Sequence, residues 1–227
     1  MVSLAEAIEI YKTYRAYAFL AGVNNVVCLY KEHEWKFDER VADYVIYGGH
    51  QNRVVNGKYF KYKHDTLEPA EKALLSPPDI IRPYGDFEDL YKEVKKRLRI
   101  IPNIGDLTYY DAALRLGFLL DDAIFPKDKV YVYAGAWIGL KGLQAYLSRI
   151  KTPLKRKITS AGIYDTSDFM PHFGGMESMF IEDFLCVFDK LLDHLDICTK
   201  KDLLKTMEFH GTHKKIKDCY LYNYDIY

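Results

Sequence analysis

The chain has 227 residues, of which 49% are hydrophobic, so it is long enough to bury a full core. Its 32 Lys and Arg residues balance its 32 Asp and Glu residues, which disfavours a protein that coats polyanions with its whole surface. Any contact with nucleic acid must therefore come from a local basic face.

The predicted elements are mostly helical. Ser3 followed by Glu6 predicts a capping box and a helix that ends near Gly22 and the Asn24-Asn25 pair. Residues 41–47 suit either a strand or a helix. Further helices are predicted at 59–75, 86–98, 108–120, 140–150 and 177–195, with a short β-type segment at 129–135. Asp86 is expected to cap the second of these helices.

This pattern predicts a predominantly α, multi-helix globular fold with minor β content at most. Residues 1–227 form either one globular domain or two helical lobes. In the second case, one lobe combines residues 1–76 with 150–227, and the other, residues 77–149, carries the turn described below.

The cysteines and the termini indicate a cytoplasmic protein. The four cysteines are widely spaced and contain no Cys-x-x-Cys pair, which argues against a zinc ribbon and a disulfide scaffold. The first residues lack the basic and apolar blocks of a signal peptide. No apolar run approaches the roughly 20 residues of a membrane span. We expect no metal, no cofactor and no membrane contact.

The turn between the helices at 86–98 and 108–120 is the most informative segment. Gly105 permits a close backbone approach, and the N–H groups that open the next helix favour an anion. The sequence therefore predicts a phosphate-binding site. The helix before it is expected to expose a basic face that carries Lys92, Lys95, Lys96, Arg97 and Arg99, of which Lys96 and Arg99 supply cations to the site. The expected backbone and side-chain contacts come from Asn103, Ile104, Gly105, Asp106, Leu107 and Thr108.

The segment Ile101-Pro102-Asn103-Ile104-Gly105, with Thr108 and Ala113-Leu114-Arg115, resembles the helix-hairpin-helix of the DNA glycosylase superfamily. The resemblance spans residues 86–143. It implies a DNA-repair protein that grips the DNA backbone without reading sequence, with duplex favoured over single strand. A bacterial group with Glu182-Asp183-Phe184-Leu185-Cys186 is also similar, and that likeness implies no particular activity.

The chain departs from the superfamily at its catalytic positions. Tyr133-Ala134-Gly135 stands where the family places its aspartate, and Asp106-Leu107 stands where bifunctional members carry a lysine nucleophile. The first hairpin glycine is Asn103, a mild change because Asn tolerates left-handed backbone conformations. The resemblance therefore predicts the fold and the DNA grip without the usual chemistry.

Three residues are the alternative catalytic candidates: Asp111, His50 and Tyr133. Asp111 serves either as a displaced general base or, with Arg115 four residues on, as a simple helix ion pair. His50, Gln51 and Arg53 form a polar cluster that is either functional or a loop with satisfied hydrogen bonds.

Three functions follow from these observations. The first is sequence-independent DNA binding through the hairpin. The second is a diverged DNA glycosylase or nucleic-acid hydrolase, which predicts that two of the three catalytic candidates approach each other in a cleft. The third is a protein-interaction module in which the hairpin only connects two helices.

Overall fold

The computed structural model describes residues 1–47, 52–55, 58–61 and 64–209. Helices dominate these residues, and the strands form two separate two-stranded sheets. The predicted predominantly α-helical fold with minor β content is confirmed. Within the described ranges, no helix combines the length and the apolar character needed to cross a membrane.

The elements follow one another in this order: α1 (Leu4–Tyr11), a π-helical segment (Lys12–Ala16), α2 (Tyr17–Glu32), α3 (Glu39–Tyr47), β1 (Asn52–Val55), β2 (Lys58–Lys61), α4 (His64–Leu75), α5 (Phe87–Leu98), α6 (Asp106–Gly117), β3 (Lys129–Val132), α7 (Ala134–Arg149), β4 (Gly162–Asp165), a 3-10 turn (Thr166–Phe169), α8 (Ser178–Val187), a second 3-10 turn (Leu192–His194) and α9 (Lys200–Phe209). The capping box of α1 forms as predicted, with the Glu6 N–H donating to Ser3 Oγ and the Ser3 N–H donating to Glu6 Oε2.

The chain divides into two compact units. Unit 1 contains residues 1–21 and 126–227, and unit 2 contains residues 22–125. These boundaries differ from those of the predicted lobes, because the predicted boundary between residues 76 and 77 lies inside unit 2. There, Arg97 of α5 donates hydrogen bonds to the carbonyl oxygens of Leu74, Ser76 and Pro78 and holds that segment to the helix.

Unit 2 is built around four helices that contact one another in a closed order, α3 with α4, α4 with α5, α5 with α6 and α6 with α3. Leu74, Leu90 and Leu98 are fully buried among them. The edge of the Phe87 ring packs against Tyr110 with 6.1 Å between centroids. The buried faces of α5 and α6 thereby fix the direction in which the chain leaves one helix and enters the other.

Unit 1 has an aromatic core and a small sheet. Phe184 lies at its centre, with ring centroids 5.1 Å from Phe188, 5.4 Å from Phe173 and 5.5 Å from Tyr11. Strands β3 and β4 pair antiparallel, from Lys129 opposite Asp165 to Val132 opposite Gly162. Helices α7 and α8 approach so closely that a Cβ at Gly139 would overlap the Leu185 carbonyl.

Several elements begin, end or change type at residues other than those predicted. Helix α2 runs through Gly22 and the two asparagines to Glu32, because buried Val26 and Tyr30 anchor its second half. Residues 41–47 are helical. The helix predicted at 59–75 begins only at His64, after β2, and the helix predicted at 177–195 ends at Val187.

Candidate nucleic-acid interface

Residues 100–105, here called the connector, join α5 and its C-cap Arg99 to α6. Ile101 and Ile104 are buried, so their side chains anchor the connector to the protein. Asn103 has a φ of 64°, in the left-handed region. Asn103 stands where the hairpins that the sequence resembles carry glycine, and the observed backbone explains why a residue that tolerates this region is needed there.

Gly105 is the N-cap of α6 and is exposed. Its backbone is extended, and no atom lies within 4 Å of the position that a Cβ would occupy. No side chain of the cap accepts a hydrogen bond from the helix, and the first N–H group that bonds back to the Gly105 carbonyl is that of Tyr109. The N–H groups of Asp106, Leu107 and Thr108 precede it and belong to the helix turn that has no intrahelical acceptors.

An ion pair lies at this helix end. Lys95 Nζ of α5 is 2.6 Å from Asp106 Oδ1, and both side chains are partly exposed. The Tyr91 hydroxyl donates to the same oxygen over 3.5 Å. The carboxylate is favourable next to the positive end of the α6 dipole. In the protein alone, Asp106 therefore supplies the negative charge that this helix end attracts.

Two of the expected cations lie where the sequence predicts. Lys96 and Arg99 are exposed on the last turn of α5, next to the connector. Lys96 is only loosely paired with Glu93, at 3.9 Å. Arg97, expected on the same exposed face, is instead buried: it donates to Glu93 and to three carbonyl oxygens. Its spacing of three from Val94 and seven from Leu90 puts it on the buried stripe of the helix.

The remaining predicted contacts fall into two groups. The Ile104 side chain is buried and its carbonyl accepts a 3.0 Å hydrogen bond from the Tyr109 hydroxyl, so Ile104 shapes the connector from within. Burial raises the pKa of that hydroxyl, and the charge of Asp106 adds to the shift. Leu107 and Thr108 are half-buried, and they offer a ligand their backbone more readily than their side chains.

Asp111 has the local role that an i,i+4 pair suggests. Its carboxylate lies 3.6 Å from Arg115, which also donates a 2.8 Å hydrogen bond to the carbonyl oxygen of Val45 at the end of α3. The guanidinium thus ties α6 to α3.

The predicted convergence of catalytic candidates stays a prediction. Asp111 belongs to unit 2, whereas Tyr133 belongs to unit 1, where it is the N-cap of α7. His50 and Gln51 lie outside the described residues. Arg53 is described by its backbone, which pairs with Phe60 in the β1–β2 ladder.

A buried charged cluster in unit 1 escaped the sequence analysis. Asp183 accepts a 2.8 Å hydrogen bond from the Tyr11 hydroxyl and two 3.0 Å hydrogen bonds from the Arg15 guanidinium. Burial, and then the charge of Asp183, raise the pKa of Tyr11 well above its ordinary value. The signal in the sequence was the Glu182-Asp183 pair, two carboxylates inside an otherwise apolar and buried helix.

Across the described residues, no group of three His, Cys, Asp or Glu side chains is placed to hold a metal ion. Compared with the models of known protein families, with curated proteins and with solved structures, the chain matches none.

Proposed function

We propose that the protein binds duplex DNA without reading its sequence, through the connector and the first turn of α6. The observation that carries the proposal is the exposed Gly105 N-cap, with no capping side chain and open space around its Cα. A phosphate oxygen seated there accepts hydrogen bonds from the N–H groups of Asp106, Leu107 and Thr108 and lies at the positive end of the helix.

The cations beside the connector support the same partner. Lys96 and Arg99 are exposed on the side of α5 that leads into the connector. Such residues neutralise neighbouring phosphates and release counterions. Because the protein has no net charge, this local face supplies the attraction.

The surrounding aromatic side chains favour contact with the backbone over contact with bases. Tyr91, Tyr109 and Tyr110 lie on the two helices beside the connector, and all three are buried. Bases therefore have no exposed ring at the connector on which to stack, and phosphate contacts carry no sequence information. This supports duplex DNA as the partner.

The test is fluorescence anisotropy of a labelled duplex of arbitrary sequence over a salt series. We expect affinity that falls with salt with a logarithmic slope of roughly −2 to −3, one unit for each phosphate neutralised. Gly105→Glu places a carboxylate at the phosphate position without steric conflict, and abolishes binding. Gly174→Glu is the matched control, since Gly174 is an exposed glycine of unit 1.

Circular dichroism of both variants verifies that the helices persist. Binding that does not change with salt, or that survives Gly105→Glu, contradicts the proposal. In that case the connector only joins two helices, as in the protein-interaction hypothesis.

A further inference from the structure

An open groove of about 350 Å³ lies on unit 2, between the loop that precedes α5 and the exposed side of that helix. The loop contributes Arg82 and Tyr84, and the helix contributes Asp89, Lys92, Glu93 and Lys96. Neither Arg82 nor Tyr84 belongs to the connector. The volume of the groove is at the lower end of the range that small-ligand sites occupy.

The loop side of the groove carries a cation next to an aromatic ring. The Arg82 guanidinium carbon lies 4.9 Å from the centroid of the Tyr84 ring. The Tyr84 hydroxyl donates to the Ile80 carbonyl oxygen over 3.2 Å, which fixes the ring, while Arg82 is exposed. Aromatic rings and guanidinium planes of this kind are the surfaces on which unpaired nucleobases stack.

The helix side of the groove carries two ammonium groups. Lys92 and Lys96 are one helical turn apart, and both side chains are about 70% exposed. Arg99 follows at the next turn on the same face, since the spacing is four and then three residues. These three cations form a row that runs along α5 from the groove to the connector.

The carboxylates in the groove do not cancel this row. Asp89 is 3.4 Å from Lys92, and Glu93 is 3.9 Å from Lys96, both weak contacts. Exposed pairs of this kind contribute little, so the ammonium groups are available to a phosphate. Glu93 is held mainly by Arg97, at 2.8 Å, and the Arg97 hydrogen bond lowers the Glu93 pKa, so this carboxylate stays ionised and able to accept from a base N–H group.

We propose that this groove binds an unpaired nucleotide of a DNA strand, with the base on the Arg82–Tyr84 surface and the backbone phosphates on Lys92 and Lys96. The inference rests on the proposed function, because the row of cations leads to the connector that holds the duplex. The preferred substrate is then a duplex with a single-stranded extension, which engages the connector and the groove together.

The experiment compares a blunt duplex with the same duplex carrying an oligothymidylate overhang, by fluorescence anisotropy with the full chain. The overhang raises affinity about 10-fold, the effect of one or two stacked bases. Tyr84→Leu removes this gain and leaves the affinity for the blunt duplex unchanged. Tyr84→Phe keeps the ring and is the matched control, in which the gain persists. Arg82→Gln, at an exposed position, tests the guanidinium independently.

Each outcome separates the two proposals. An overhang that adds no affinity, or a gain that survives both Tyr84→Leu and Arg82→Gln, overturns the groove assignment while duplex binding stands. If the wild-type chain does not bind the blunt duplex but binds free oligothymidylate, and Tyr84→Leu abolishes the second interaction, only the proposed duplex binding is overturned. No binding of any DNA overturns both. Displacement of the overhang by poly-glutamate, with no effect of Tyr84→Leu, assigns the groove to acidic polypeptides instead.

Discussion

The Arg15 guanidinium grips the Asp183 carboxylate with two hydrogen bonds of 3.0 Å, and both side chains are nearly buried. The Tyr11 hydroxyl donates to the same carboxylate. The pair joins the π-helical segment that follows α1 to the middle of α8. Because a buried charge that loses its partner is costly, the pair makes these two segments of unit 1 depend on each other.

Asp183→Asn keeps the shape of the side chain and leaves the Arg15 charge without its counterion. We expect the free energy of unfolding to fall by about 3 kcal/mol, as when a buried pair loses one member. Urea denaturation followed by circular dichroism measures the change. Lys12→Met, at a partly exposed neighbour in the same segment, is the control and changes stability by less than about 0.5 kcal/mol.

The double variant Arg15→Met with Asp183→Leu separates charge from packing. The double variant loses less free energy of unfolding than the sum of the losses in Arg15→Met and Asp183→Leu alone, because neither charge is left buried without the other. Strictly additive losses would show that the ion pair is not the reason for the sensitivity of this site.

Asp106→Asn strengthens DNA binding if a phosphate occupies the start of α6. The carboxylate now occupies that end and engages Lys95 at 2.6 Å. Its removal abolishes the repulsion of the phosphate and the ion pair with Lys95. We expect tighter binding of the duplex than by wild type.

The measurement is the anisotropy salt series, with Asp122→Asn as the control for a change of net charge at an exposed position of the same unit. Equal affinities for wild type and Asp106→Asn, at low salt, would place the phosphate elsewhere.

Lys96 and Arg97 are adjacent in sequence and have opposite roles. Lys96→Met weakens duplex binding and makes the salt slope shallower by about one unit, with stability nearly unchanged. Arg97→Met leaves the carbonyl oxygens of residues 74, 76 and 78 without their donor, and lowers stability by about 3 kcal/mol. Folded Arg97→Met protein keeps its affinity for DNA.

Anisotropy and urea denaturation of the same two variants check this contrast. An Arg97→Met protein that is stable but has lost DNA binding would show that the guanidinium reaches the ligand after all.

Glu177 makes stability depend on pH. Burial raises its pKa, and its Oε2 atom is buried without a hydrogen-bond partner within the described part of the chain. When the pKa of a carboxyl is higher in the folded than in the unfolded protein, its contribution to the stability of the fold is greatest at pH values below the unfolded pKa. That contribution is lost as pH rises through the folded-state pKa. Glu177→Gln therefore unfolds at a higher temperature than wild type at pH 7, and the difference shrinks towards pH 4.

Thermal unfolding at pH 4, 5, 6 and 7 follows the effect, with Glu34→Gln as the exposed control. A difference that is the same at all four pH values would exclude ionisation of Glu177 as its cause.

The interactions that the sequence predicted correctly are local. Ser3 and Glu6 are three residues apart, Asp86 caps α5 through the N–H of Asp89, and the left-handed backbone of Asn103 is a property of one residue. Each needs only neighbouring residues to form, so a pattern within one turn suffices to identify it.

The interactions that the sequence analysis missed join distant residues or depend on the direction of a side chain. Arg15 and Asp183 are 168 residues apart, and neither segment contains a sequence pattern that predicts contact with the other. Arg97 was grouped with its exposed neighbours by charge, although its spacing from Leu90 and Val94 pointed inward. In the groove, Tyr84 gains its role only from Arg82 and from the α5 face packed beside it.

The order of the two units along the chain has a consequence for synthesis on the ribosome. Unit 2, residues 22–125, is continuous in sequence, so the whole unit has been synthesised once residue 125 has emerged. Helix α1 of unit 1 is synthesised before unit 2. The Tyr11 hydroxyl in this helix has no acceptor until Asp183, 172 residues later, has been synthesised. The nascent chain therefore carries a finished unit 2 between an unpaired leading helix and the emerging remainder. During that interval, the apolar face of α1 is the segment that a chaperone would cover.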